Sequence, residues 1–369
     1  MEPTSPDNPN QPQPAEPVSR PIVGTPIAGR TTQVVLVQQP NSFIRRWAAW
    51  LGWVGFFFCV MILLGMMATL GEYFNTEGGL QEKHFSGPKQ LVGKKVAIIS
   101  VTGVIGDGSG FVKKQIDRVT NDEDVEAVVL RVNSPGGTIT GSDYIYHHLK
   151  KMLEKRDIPL VVSMGSIAAS GGYYVAMAVG DQKDAIFAEP TTTTGSIGVI
   201  IPHYDLSGLM ERLDVKEDSL ATHPRKKMLS MSKPISDDDR LVLDEYLQTA
   251  FDRFKDIVKS GRPAFREDES LLDELATGEI FAAGKAKDKG LVDQLGFIEE
   301  AIDRAKELAG LDEDTRVVKY QSTPTLMDAF GMVKSNVNTS FKLESLLEGT
   351  APKAYYLCTS LPPLFSITE

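Results

Sequence analysis

Short apolar runs alternate along this chain with segments whose apolar residues recur at helical spacing. "KKVAIISVTGVIG" reads as a buried strand ending at glycines, and "FVKKQIDRVTNDEDV" as a helix. "VEAVVLRVN" is a second strand, stopped by "SPGG", and "GSDYIYHHLKKMLEK" is an amphipathic helix. "IPLVVSMG" is a third strand, and "GGYYVAMAV" opens another helix. "DAIFAEP" and "GSIGVII" add two short strand signals. Strands that alternate with helices of ordinary length predict βαβ units and a parallel sheet covered by helices. From about residue 236 the pattern turns helical. "SDDDRLVLDEYLQTAFDRFKDIVKS" starts with Ser236 and three acids, a capped N-terminus. "GFIEEAIDRAKELAGL" is a further helix, and residues 322–369 carry weak signals. No repeat of period about 20–50 is present.

The N-terminal part differs. Residues 1–46 are rich in proline and polar residues, and such a tail cannot bury enough apolar surface to offset its ordering. Residues 47–71 then contain no charge, which predicts a transmembrane helix. The segment lies too far along the chain for a simple cleaved signal peptide. Trp47, Trp50 and Trp53 gather at its start like an interface belt, and nothing polar marks any face as a buried core helix would. Arg45 and Arg46 precede it, whereas Glu72 and Glu77 follow. The positive-inside rule then places the tail in the cytoplasm and the domain after it outside, on a single-pass inner-membrane protein. A linker over 72–94 leads into a domain over 95–320, with an extension of unclear role over 321–369.

Composition narrows the function classes. The 369 residues carry a net charge of −10, which argues against a general nucleic-acid binder. Cys59 and Cys358 form neither a metal spacing nor a disulfide framework. None of the five histidines sits in a metal motif, so no metal and no cofactor is expected.

The candidate chemistry centres on "GSIAASGGYYVA", residues 165–176. Ser170 follows the third strand and begins a helix, where free N–H groups favour negative charge. Gly171 and Gly172 leave room for a substrate carbonyl. The turn "NSPGG" ends the neighbouring strand, and parallel strands bring both turns to one edge of the sheet. Gly136 or Gly137 there can offer an N–H beside that of Ser170 or Gly171, and two such donors make an oxyanion hole. Taken alone, a small-residue turn before a helix more often serves packing. The proton acceptor stays open on residues alone. No histidine pattern supports a triad, and "THPRKKMLSMSKP" offers Arg225, Lys226, Lys227 and Lys233, otherwise an ordinary solvated basic loop. A lysine base must lose about 2–3 pKa units to act at pH 7.

"VVLRVNSPGG", "MGSIAASGGYYVAMA", "TGSIGVI" and "GLVDQLG" together resemble the signal peptide peptidase A type of membrane-bound serine protease, over about residues 95–311. The resemblance implies the crotonase/Clp-protease fold of repeated ββα units and a Ser–Lys dyad. Ser170 falls on the family nucleophile. The family base follows Thr-Gly-x-x-Lys, which "THPRK" matches at Thr222 and Lys226, with His223 in place of glycine. Lys227 is the rival if the loop is shifted by one. Ser196 matches a serine that orients the lysine in relatives. Gly278-Glu279 and Ala283-Gly284 depart from the family's "GR" and "TG". With one copy of the domain, the resemblance implies a ring-like homo-oligomer in which neighbouring protomers share the dyad. Its partners would be membrane lipid and extended peptides, such as signal-peptide remnants or unfolded protein segments, bound by strand addition. A crotonase-like acyl-CoA enzyme and a non-catalytic membrane scaffold are the alternatives on the same fold.

Overall fold

The computed structural model describes residues 42–75, 79–89, 93–322 and 354–358. The tail over 1–41 and most of the extension after 322 lie outside the described residues. The elements are α1 (Ser42–Asn75), β1 (Leu80–Ser86), β2 (Lys95–Thr102), α2 (Phe111–Asn121), β3 (Val125–Ser134), β4 (Gly136–Thr138), α3 (Ile139–Arg156) and β5 (Leu160–Ala169). They continue with α4 (Gly171–Ala176), β6 (Ile186–Ala188), β7 (Thr193–Gly195), α5 (Ser207–Arg212), α6 (Asp237–Gly261), α7 (Pro263–Glu267) and α8 (Glu269–Asp273). The last are β8 (Ile280–Ala282), α9 (Ala283–Asp288), β9 (Gln294–Leu295), α10 (Ile298–Leu308), β10 (Arg316–Ser322) and β11 (Tyr355–Leu357).

The chain divides into two units between Ala68 and Thr69. The uncharged stretch 47–71 lies within α1. Its described side chains are Trp47 and those of 50–65, nearly all exposed. Among the described residues, no helix is long and apolar enough to cross a membrane. The expected span is helical, and its crossing of a membrane is not shown.

In the second unit, nine described strands form one sheet, with the path β1-β10-β2-β3-β5-β6-β9. Pairing is parallel from β10 through β9, and β1 closes one edge antiparallel to β10. Strands β2, β3 and β5 are central, and Val96, Ile99, Val128, Leu130, Val161 and Val162 are fully buried. Helices cover such parallel strands on both faces, so they read as continuous apolar runs rather than alternating ones. The predicted mixed α/β class with a parallel-dominated sheet is present.

Three elements differ from the sequence pattern. The strand expected in "GSIGVII" ends instead at Gly195, because Ser196 turns the backbone to φ 53. The linker holds β1, an edge strand of sequence LQEKHFS whose mostly polar residues give no apolar run. The weak C-terminal region holds β11, which pairs antiparallel with β4. Ser236 caps α6 as expected, its hydroxyl accepting the Asp239 N–H at 3.2 Å.

Candidate active site

Strand β5 ends at Ala169, and the chain turns sharply at Ser170 into α4. Ser170 has φ 52 and ψ −116, a backbone region that side-chain-bearing residues enter only at a cost of about 1–3 kcal/mol. The turn is held from two sides. The Ser170 N–H donates to the Gly195 carbonyl at 2.8 Å, and the Ser170 carbonyl accepts the Tyr174 N–H at 2.9 Å. The side chain is 1% exposed, and its Oγ has no hydrogen-bond partner among the described residues. A buried hydroxyl without a partner costs about 1–3 kcal/mol, so this site keeps an unused donor in a strained turn.

The second glycine turn meets this one, as parallel pairing requires. After a register shift, Ser134 of β3 pairs with Ala168 of β5. Gly136 has φ +97, and a Cβ built there would lie 2.6 Å from the Gly171 nitrogen and collide with the Tyr356 carbonyl oxygen. The two glycine backbones thus touch only because neither bears a side chain. The Gly136 N–H donates to Ser134 Oγ at 3.1 Å. The Gly137 backbone lies against Ile105 and pairs with Tyr356 of β11. With the Ser170 amide engaged by Gly195, Gly171 is the residue of this group whose N–H belongs to the open first turn of a helix.

Ser196 stands beside Ser170. Ala169 pairs with Gly195 in parallel register, and Ser196 has φ 53 and is buried. It lines a cavity of about 490 Å³ with Ile200, Phe251, Gly278 and Leu357.

Lys226 lies elsewhere in the chain. It is exposed, on the 3-10 turn Pro224–Lys227, and lines a cavity of about 930 Å³ with Thr222, Lys227, Tyr246 and Ala354. Within this single chain, no hydrogen bond joins it to Ser170. Lys226 has no ion pair among the described residues, whereas Lys227 lies 3.3 Å from Glu217 and Lys233 lies 3.4 Å from Asp239. Hydrogen bonds from Ser232 and Ser219, together with Lys227, hold the Glu217 carboxyl down at about 2. His223 enters the turn without strain. Its φ is −152, and its ring nitrogen accepts the Arg225 N–H at 3.2 Å, capping the turn.

An aromatic cluster backs the serine turn, and residue patterns alone did not single it out. Tyr174 of α4 stacks on Tyr356 at 5.1 Å and meets Phe254 at 5.2 Å. The Tyr174 hydroxyl donates to Asp143 at 2.5 Å, and the Tyr356 hydroxyl donates to the Ala250 carbonyl at 2.7 Å. Burial pushes both phenols up, and donation to Asp143 pushes Tyr174 further. The signal available for Tyr356 was the short run "AYYLC" inside an otherwise weak region. The motif "GLVDQLG" has a structural role. Its Asp293 accepts the Ala185 and Ile186 N–H groups at 3.0 and 2.9 Å and pairs with Arg262 at 2.7 Å. It ties β6 to the end of α6.

The model of Peptidase family S49 matches residues 152–312, a range that holds Ser170, Ser196 and Lys226. The chain is 34% identical over 308 residues to a putative signal peptide peptidase SppA from Enterococcus faecium, spanning 76% of this chain and 86% of that protein. It is 36% identical over 221 residues to the putative protease slr0021 from Synechocystis, 60% of this chain and 76% of that one. It is also 32% identical over 240 residues to protease 4 from Haemophilus influenzae, 62% of this chain but 37% of that longer protein. A buried serine on a strained strand-to-helix turn, together with these likenesses, assigns the chain to peptidase family S49, as a serine protease of the signal peptide peptidase A type.

Proposed function

We propose that this chain is a membrane-anchored endopeptidase with a Ser170–Lys226 dyad, cutting extended peptides such as cleaved signal peptides. The observation that carries the reading is Ser170 itself. Its Oγ is buried, without a partner among the described residues, and mounted on a strained turn at the C-terminal edge of a parallel sheet. In the reaction, Ser170 Oγ attacks the substrate carbonyl and gives its proton to a neutral lysine. The oxyanion forms beside Gly171, where one well-placed donor contributes about 2.7–4 kcal/mol. The protonated lysine then hands its proton to the leaving amine, and water releases the acyl group.

Lys226 is favoured over Lys227 because the Lys227 ammonium is already engaged by Glu217 at 3.3 Å. In this reading the base reaches Ser170 from a neighbouring copy in a ring-like homo-oligomer of crotonase/Clp-type domains. Support comes from the run around Lys226, which exposes Leu209, Leu213, Val215 and the 99% exposed Leu220. Such a surface is ordinarily covered by a partner. Anchoring rests on the uncharged residues 47–71, and Arg45 and Arg46 put the tail in the cytoplasm and the protease domain outside.

Casein cleavage by Ser170→Ala and Lys226→Ala proteins tests the dyad. Each alone is expected to be inactive, and mixed chains are expected to recover activity at shared sites. Full activity of Ser170→Ala defeats the proposal. Loss in Lys227→Ala alone moves the base by one residue, and failure of mixed, well-assembled chains to recover defeats the sharing.

A further inference from the structure

Strand β5 changes neighbours just before it delivers Ser170. Up to Met164 it pairs with β6, through Val162, Ser163 and Met164. From Ile167 it pairs with β7 instead, through Ile167, Ala168 and Ala169. The change coincides with a slip against β3, its neighbour on the other side. Val132 lies opposite Met164, and Ser134 opposite Ala168, so β3 advances two residues while β5 advances four. The extra length sits in residues 165–167. A bulge of this kind bends its strand and re-aims the side chains that follow.

A bulge also leaves backbone groups without ladder partners, and buried ones have to be satisfied elsewhere. Here two side chains do so. The Ile167 N–H donates to Asn133 Oδ1 at 3.3 Å. The Thr192 hydroxyl donates to the Gly165 carbonyl at 2.6 Å, with the Met164 carbonyl 3.3 Å away. Thr192 is fully buried. Position 165 has to be small, because a Cβ built there would lie 3.0 Å from Arg131 Nη2 and 3.3 Å from Asn133 Cβ. The two side chains come from opposite sides of β5, and each adjoins the candidate site. Asn133 precedes Ser134, whose Oγ accepts the Gly136 N–H at 3.1 Å. Thr192 leads into β7, whose Gly195 carbonyl accepts the Ser170 N–H at 2.8 Å.

We infer that Asn133 and Thr192 are positioning residues for Ser170. They lock the bulge in the register that passes β5 from β6 to β7, and so fix the turn on which the serine stands. Neither is hydrogen-bonded to Ser170, so both act through the backbone of residues 165–169. The inference rests on the protease reading for its effect on rate, whereas the locking is a property of the fold.

Full-chain Thr192→Val and Asn133→Leu remove the polar groups at nearly constant shape. A displacement of about 1 Å at a reacting group can cost about 100-fold in rate, so each is expected to lower kcat for casein about 10–100-fold with KM within about threefold of native. Thr192→Ser keeps the hydroxyl and is expected to hold kcat within about threefold of native. A second readout needs no catalysis. Hydrogen exchange at the Ile167 and Ser170 amides should speed at least about tenfold in Thr192→Val and Asn133→Leu, while Val161 and Val162, before the bulge, keep their native rates. General loosening of the sheet would speed both sides alike. Folded variants with native kcat, a rise in KM with kcat held, a Thr192→Ser chain as slow as Thr192→Val, or exchange that is unchanged or raised equally on both sides would each overturn the inference. Should Asn133→Leu fail to fold, the two Thr192 variants decide. A native chain that cuts no casein would defeat the protease reading, and the exchange pattern would still decide this one.

Discussion

The Ser170 amide donates to the Gly195 carbonyl at 2.8 Å, one residue before Ser196, and both serines carry left-handed backbones, φ 52 and φ 53. Two adjacent parallel strands thus break together, each at a serine. β5 breaks at Ser170, and β7, paired with it through Ala169 and Gly195, breaks at Ser196. Strain in both is sustained by the hydrogen bonds around them, which is how a fold holds a reactive group in one orientation.

Ser170→Gly is expected to abolish cleavage and to stabilise the fold. Glycine takes φ 52 without steric cost, and the buried unpartnered hydroxyl is gone. Thermal unfolding should move up by a few degrees, about 2–4 °C for each kcal/mol. A melting temperature below that of the native chain would show that the turn is not strained.

Gly136→Ala and Gly137→Ala are expected to fail differently from Ser170→Ala. A methyl on Gly136 collides with the Tyr356 carbonyl and presses on the Gly171 nitrogen, and one on Gly137 collides with Ile105. Overpacking of this kind costs about 1–3 kcal/mol, and φ +97 at Gly136 adds strain there. Urea unfolding should show both losses, with activity falling as the two turns part. Unchanged midpoints would mean the turns yield without cost.

Asp293→Ala is expected to destabilise the domain without entering the chemistry. The carboxylate carries two backbone N–H groups and the partly buried Arg262. Removing one partner of such a pair costs about 3–5 kcal/mol. The expected result is a lower denaturant midpoint with kcat retained in the folded fraction. A large fall in kcat at unchanged stability would place Asp293 in the mechanism instead.

The Glu217 clamp predicts a pH dependence of definite sign. Its carboxyl is held at about 2 when folded, below the ordinary value of 4.5. A depressed carboxyl stabilises the fold fully above its unfolded value and loses that contribution as pH falls from about 4.5 through 2. Glu217→Gln should therefore melt earlier than the native chain at pH 7, and the gap should close at acid pH. Its cleavage of casein at neutral pH is expected within about threefold of native, because the residue neutralises Lys227 rather than Lys226. A gap that widened in acid would reverse the assigned shift.

Much of the fold was legible because buried parallel strands write themselves as apolar runs. "VAIISV", "AVVLRV" and "LVVSM" could be read as β2, β3 and β5 with no knowledge of their partners. The cap at Ser236 was legible for the same local reason, since its hydroxyl answers an amide three residues away. The edge strand β1 was not, because a strand solvated on one side and paired by backbone alone leaves no apolar trace. Strand β11 was not, because its pairing with β4 joins residues more than 200 positions apart in the chain.

The sequence by itself determined the α/β class and singled out Ser170 and the paired glycine turns, while Ser196 entered only through the family resemblance. Those features depend on periodicity, backbone freedom and local residue chemistry, all carried within a few residues. Only the tertiary structure decided that Gly136 touches the Gly171 backbone, that Ser170 Oγ is buried without a partner among the described residues, and that Tyr356 fills an aromatic pocket behind the nucleophile. Each of these depends on distances between segments far apart in the chain, which packing and strand register set and no local pattern encodes.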